Sequence, residues 1–216
     1  MSKKAAVILS GCGYLDGSEI HETVLLFLAM KENNISYHCF TLDKPISKVM
    51  CHVTKTPVEG ETRNILRESA RVARGDVQDI AKLDPNKYDI LCLPGGYGVA
   101  TNLSDFSTSA DHCSIDSQIK KVICTFHELK KPIIAICLAP VVVAKALKNF
   151  QIEMTLGENP KDLEILEKMG MQPKKCKVDE ICVDQKNLVY SAPGYMAPPD
   201  IVGIYRANQK IMEKVC

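Results

Sequence analysis

The chain has 216 residues, 46% of them hydrophobic and 25% charged, with a formal net charge of +1. This length allows one domain, residues 1–216, to bury a sizeable core, and the near-neutral charge excludes a nucleic-acid partner bound by neutralising many phosphates. No run reaches the roughly 18 apolar residues needed to span a bilayer, so no membrane partner is expected.

The first apolar run, Ala5–Leu9, follows Lys3 and Lys4 and is shorter than the apolar part of a secretory signal. It is expected to be the first core strand, Ala5–Ser10, of a cytoplasmic protein. Glu22–Glu32 reads as a helix with Val24, Leu25, Leu28 and Ala29 on its inner face, and Tyr37–Leu42 as a second strand. Val49–Val53 suits a short hairpin arm, and Thr62–Ala73 a helix with Ile65, Leu66, Ala70 and Ala73 apolar. Tyr88–Leu93 is a strand running into Pro94-Gly95-Gly96, and Ile115–Leu129 a helix with Ile119, Val122, Ile123 and Phe126 inward. Ile133–Ile136 is a buried strand that ends at Cys137, and Pro140 then opens an apolar helix to Leu147. A short helix follows at Lys161–Met169. Two β pieces, Glu180–Asp184 and Leu188–Ser191, are joined by the turn Gln185–Asn187, and a last helix spans Asp200–Lys214. Strands alternating with helices predict an α/β fold with a doubly wound, mainly parallel sheet and helices on both faces.

Ten cysteines stand at positions 12, 39, 51, 92, 113, 124, 137, 176, 182 and 216, with no CxxC pair. Several lie in apolar strand-like runs, where a free thiol packs as a small hydrophobe. A reducing compartment is expected, and zinc-ligand spacing is missing, so no metal is.

In open α/β sheets, ligands sit at the carboxyl ends of the strands. Three such ends carry chemistry here: Gly11 to Glu22, Pro94-Gly95-Gly96-Tyr97-Gly98, and Cys137. At a sharp strand-to-helix turn the Cys137 thiol should be exposed, beside free helix N–H groups that favour its thiolate. N–H groups at Gly95, Gly96 and Leu138 can form an oxyanion hole, although a PGG sequence also makes an ordinary tight turn. Glu19 and Glu22 share one side of a helix start, where Ser18 suits the N-cap, and either carboxylate can partner the thiol as general acid/base. His21 is expected to turn away from them into packing or solvent, and His127 to be solvated. His112 and Cys113 fit a surface loop. Asn102–Ile115 and Pro193–Pro199 can border the pocket, with Tyr195 within reach.

The segments ILSGCGYLDGSEIHE (8–22), ETRNILRESARVARG (61–75), LPGGYGVATNLSDF (93–106) and ICLAP (136–140) resemble the ElbB-like family. That family sits within the PfpI-like cysteine superfamily of the class I glutamine-amidotransferase-like fold. The resemblance covers nearly the whole chain. It implies a flavodoxin-like fold with a nucleophile elbow at Cys137, an acidic partner at Glu22 (Glu19 the alternative), and the glycine pair Gly95-Gly96. Peptidases and glutaminases of this fold place a histidine after the cysteine; Leu138 stands there, which counts against both activities. The resemblance implies instead a glutathione-independent glyoxalase that needs no cofactor and acts on a small dicarbonyl. It also carries a link to isoprenoid biosynthesis. A redox-sensing or regulatory binding protein is the alternative, and a homodimer is the expected assembly.

Overall fold

The computed structural model describes residues 3–216. Seven strands form its central sheet: β1 (Lys4–Ile8), β2 (Ser36–Thr41), β3 (Val77–Asp79), β4 (Ile90–Leu93), β5 (Ile133–Ile136), β6 (Cys182–Asp184) and β7 (Val189–Ala192). They lie in the order β6-β7-β5-β4-β1-β2-β3, parallel throughout except for the antiparallel β6–β7 pair. Around the sheet lie α1 (Ile20–Glu32), α2 (Ile65–Val72), α3 (Ser117–Glu128), α4 (Pro140–Ala146), α5 (Pro160–Lys168) and α6 (Ile201–Val215). Every residue of β4 and β5 is fully buried. Because successive side chains alternate between faces, both faces of the sheet must be covered. This is the flavodoxin-like arrangement of the class I glutamine amidotransferase-like fold.

Sequence patterning placed most elements well. Ile119, Val122, Ile123 and Phe126 are the buried residues of α3. The hairpin arm is Met50–Cys51, paired with Thr56–Pro57. The inner face of α1 is a correction. Leu26, Phe27, Ala29 and Met30 point inward with Glu22 and Thr23, whereas Val24 and Leu28 are exposed. Apolar residues surround this helix, so their spacing alone could not select the buried side.

The chain runs from β1 outward through β2 to β3, then returns to β4 on the other side of β1. That reversal makes the β1/β4 boundary a switch point, where the loops after adjacent strands diverge and leave a crevice. The loops after β1, β4 and β5 therefore converge. Among the described residues, no helix is long and apolar enough to cross a membrane.

Candidate active site

Cys137 adopts a left-handed φ of 59°, unusual for a residue with a Cβ, at the junction of β5 and α4. Its N–H donates to the Ala192 carbonyl at the end of β7 (2.9 Å), which fixes the turn against the neighbouring strand. Pro140 begins α4, where a missing N–H costs nothing. These features form a nucleophile elbow, with the helix entry directed at the side chain.

The elbow does not lift the thiol into solvent, contrary to the sequence-based expectation. Cys137 is only 7% exposed. Burial pushes its thiol well above the ordinary value, and the Glu22 charge adds to the rise. The N–H groups of Gly96 and Leu138 face the sulfur and pull in the other direction without prevailing.

Glu22 is the carboxylate that meets Cys137, and the two side chains are hydrogen-bonded. It is fully buried. Its Oε1 accepts the Tyr195 N–H at 2.8 Å and its Oε2 the Gly95 N–H at 3.1 Å. Burial raises its pKa to about 7; Glu19 contributes to the rise, while the three hydrogen bonds oppose it. The dyad therefore resists a second negative charge: the thiol keeps its proton through the neutral range, while Glu22 titrates within it.

Glu19 has a different task. It is the N-cap of α1, its side chain accepting the Glu22 N–H at 2.7 Å. Ser18, expected at that cap, instead accepts the Ser10 N–H at 2.9 Å. The glycine pair also divides its roles. Gly96 and Leu138 offer N–H groups beside the sulfur, but the Gly95 N–H is committed to Glu22 and is not free as an oxyanion donor. Gly95 is required sterically instead: a Cβ there would overlap Cys137 and stand 2.5 Å from Glu22 Oε2. Gly96, at φ 102°, lies against the Gly17–Glu19 backbone and locks the α1 entry onto the β4 loop.

The roof over the dyad comes from the segment after β7. A Cβ on Gly194 would overlap Glu22 Oε1 and Cys137 Cβ, so only glycine allows this close approach. Sequence reasoning flagged Tyr195 in this segment but missed Gly194 and the backbone bond to Glu22. His21 is exposed, yet it does not merely face solvent: its Nδ1 lies 2.7 Å from the Tyr195 hydroxyl. Tyr14, Glu19, His21, Tyr195 and Pro199 line a cavity of about 450 Å³ beside the roof. No residue of Asn102–Ile115 lines it, and Asn102 instead holds the β1 loop through the carbonyls of Ser10 (2.9 Å) and Asp16 (2.8 Å). His112 is exposed, but Cys113 is fully buried. His127 is not simply solvated, since its ring packs on Phe150. Among the described residues, no three His, Cys, Asp or Glu side chains form a metal-binding group.

A buried thiol on an elbow, a carboxylate from the helix after β1 and a glycine-rich β4 loop define a class I glutamine amidotransferase-like protein of the cysteine-elbow type. The DJ-1/PfpI family model matches residues 14–202, and the chain belongs to that family. It is 34% identical over 221 residues to "ES1 protein homolog, mitochondrial" of Rattus norvegicus, spanning 98% of this chain and 82% of that one. The same figures hold for the Homo sapiens "Glutamine amidotransferase-like class 1 domain-containing protein 3, mitochondrial". Among solved structures, an Ehrlichia chaffeensis isoprenoid biosynthesis protein with an amidotransferase-like domain superposes with a TM-score of 0.90. It is 38% identical, with 98% of each chain covered. Drosophila melanogaster DJ-1beta, at 19% identity and a TM-score of 0.61 over 100% of this chain and 91% of its own, shares the fold.

Proposed function

We propose that the protein is a cofactor-independent glyoxalase-type enzyme that converts glyoxal or methylglyoxal to the 2-hydroxy acid. The observation that carries this reading is the Cys137–Glu22 contact, with Gly96 and Leu138 N–H groups beside the sulfur and Leu138 where a hydrolase would have histidine. Cys137 Sγ adds to one aldehyde carbon while its proton passes through Glu22 to the new hydroxyl, giving a hemithioacetal. The Gly96 and Leu138 N–H groups stabilise the oxygen as charge develops. Glu22 then moves the hydrogen of that carbon, as a proton, to the neighbouring carbon. One carbon is oxidised to the thioester level and the other reduced to an alcohol, so no external electron acceptor enters. Water releases the hydroxy acid and the thiol. A carboxylate whose pKa lies near 7 suits both directions of proton transfer at neutral pH.

The slight exposure of Cys137 favours a compact electrophile over a peptide. The redox-sensor alternative calls for an accessible, low-pKa thiol, which fits this buried cysteine less well. A role in isoprenoid biosynthesis, named for the Ehrlichia relative, remains the competing assignment. We place the reaction in a reducing compartment such as the cytoplasm, although the names of the rat and human relatives are mitochondrial. The same proposal includes a homodimer.

The test is glyoxal consumption with glycolate formation by the purified protein. Cys137→Ala and Glu22→Gln are each expected to lower turnover by about 100-fold or more, the scale of losing a nucleophile or a general base. Equal rates in wild type and Cys137→Ala would overturn the proposal.

A further inference from the structure

A dicarbonyl has two reacting oxygens, and the groups around Cys137 account for one. The first oxygen, on the carbon that bonds sulfur, meets the Gly96 and Leu138 N–H groups. The second becomes negative when the adjacent C–H is broken, and it needs a proton donor of its own. Glu22 cannot serve both sites, because at that moment it is accepting the carbon-bound proton. Gly95 N–H and Tyr195 N–H are held by the Glu22 oxygens.

Tyr195 borders both the dyad and a cavity that Cys137 and Glu22 do not themselves line: its backbone N–H grips Glu22 Oε1, while its ring forms part of the cavity wall. Its hydroxyl lies 2.7 Å from Nδ1 of His21, which precedes Glu22 on α1. Of the other polar groups in that wall, Glu19 is a carboxylate already occupied as the α1 cap, and the Tyr14 ring packs against His52. Of the two tyrosines in that wall, Tyr195 is the one whose hydroxyl is hydrogen-bonded to a second proton-carrying group. When Nδ1 is protonated, the imidazole donates to the phenolic oxygen and leaves the phenolic hydrogen free for a ligand.

We propose that Tyr195 is a further catalytic residue, protonating the second carbonyl oxygen of the dicarbonyl, and that His21 positions and recharges it; this rests on the glyoxalase reading above. Glu22 takes the hydrogen on the sulfur-bearing carbon as a proton. The C–H electron pair becomes the C=C bond, and the π pair of the second carbonyl moves onto its oxygen. That oxygen takes the phenolic proton, leaving a phenolate that accepts the His21 Nδ1–H hydrogen bond. Glu22 then gives its proton to the second carbon while the first hydroxyl loses its own. The proton so released reaches His21 Nε2 through solvent as the Nδ1 proton passes to the phenolate, and the product is the thioester. The histidine missing after the elbow is thus supplied from α1.

Tyr195→Phe keeps the backbone N–H on Glu22, so the dyad itself should stay intact. Its kcat for glyoxal should fall about 10- to 100-fold, within the range of a lost general acid. KM and the rate of Cys137 alkylation by iodoacetamide should stay within about twofold. His21→Ala should lower kcat by a smaller factor, and added imidazole should restore part of the loss, since position 21 is open to solvent. Unchanged kcat in Tyr195→Phe, with Cys137→Ala inactive, would sink this inference and leave the glyoxalase reading standing. Parallel losses of alkylation and kcat, or no imidazole rescue, would reduce the pair to a structural support. Full activity in Cys137→Ala would remove both proposals together.

Discussion

Glu22 is the residue at which stability and chemistry conflict. A carboxyl with its folded pKa at about 7 and its ordinary value at 4.5 binds its proton more tightly in the native state. Its contribution to stability is therefore fully present below about pH 4.5 and is lost as pH rises through about 7. The difference amounts to on the order of 3 kcal/mol at about 1.4 kcal/mol per pH unit. Glu22→Gln cannot ionise, so the stability difference between wild type and variant should change in this window and be flat above it. Denaturant unfolding at a series of pH values from 4 to 8 measures that difference. Parallel curves for the two proteins would mean that Glu22 is not held neutral by its surroundings. The absolute stability of the variant is a poorer guide. An amide can accept only one of the two N–H groups now facing the carboxylate, and its own NH₂ would oppose the other.

At the scale of elements, three loops from adjacent strand ends meet with almost no free volume. Gly95→Ala tests this directly. Its Cβ would overlap Cys137 and crowd Glu22, which separates the dyad and overpacks a buried site. Turnover should fall at least 10-fold, with a stability loss of about 1–3 kcal/mol by chemical denaturation. Near-normal turnover would mean that the β4 loop does not hold the dyad in place. The sequence made β4, β5 and the elbow legible because unbroken apolar strands have a simple signature, and α3 was legible because its apolar stripe is narrow. The choice between Glu19 and Glu22 was not legible. They stand three residues apart on one side of a helix, and only the cap at Glu19 decides which one turns inward. Nor was the burial of Cys137, because its roof is Gly194–Tyr195, a contact between distant segments that no local pattern records.

At the scale of the molecule, the face misassigned from the sequence is the one left without a partner. Ile20, Val24 and Leu28 stand 44%, 47% and 45% exposed at successive turns of α1. Ile201 and Val202, also exposed, begin α6, which follows parallel β7 as α1 follows β1. The two helices pack together: Glu32, near the end of α1, bonds Tyr205 and Gln209 of α6. Ile201 and Val202 add to the exposed apolar side chains of these two packed helices. Charges flank the stripe at Glu19 and Lys31, so a two-fold antiparallel contact between α1 helices brings Lys31 of each copy toward Glu19 of the other. We propose that a second copy docks on this face, by apolar matching and by charge. The homodimer proposal thus predicts that the wild type has twice the chain mass in size exclusion with light scattering. Val24→Glu combined with Leu28→Lys should give a monomer at the same concentration. Because both side chains are solvent-exposed in the single chain, the double variant should keep its fold, read by an unchanged circular dichroism spectrum. A wild type that stays monomeric at high micromolar concentration, or a variant that remains dimeric, would remove this face from the assembly.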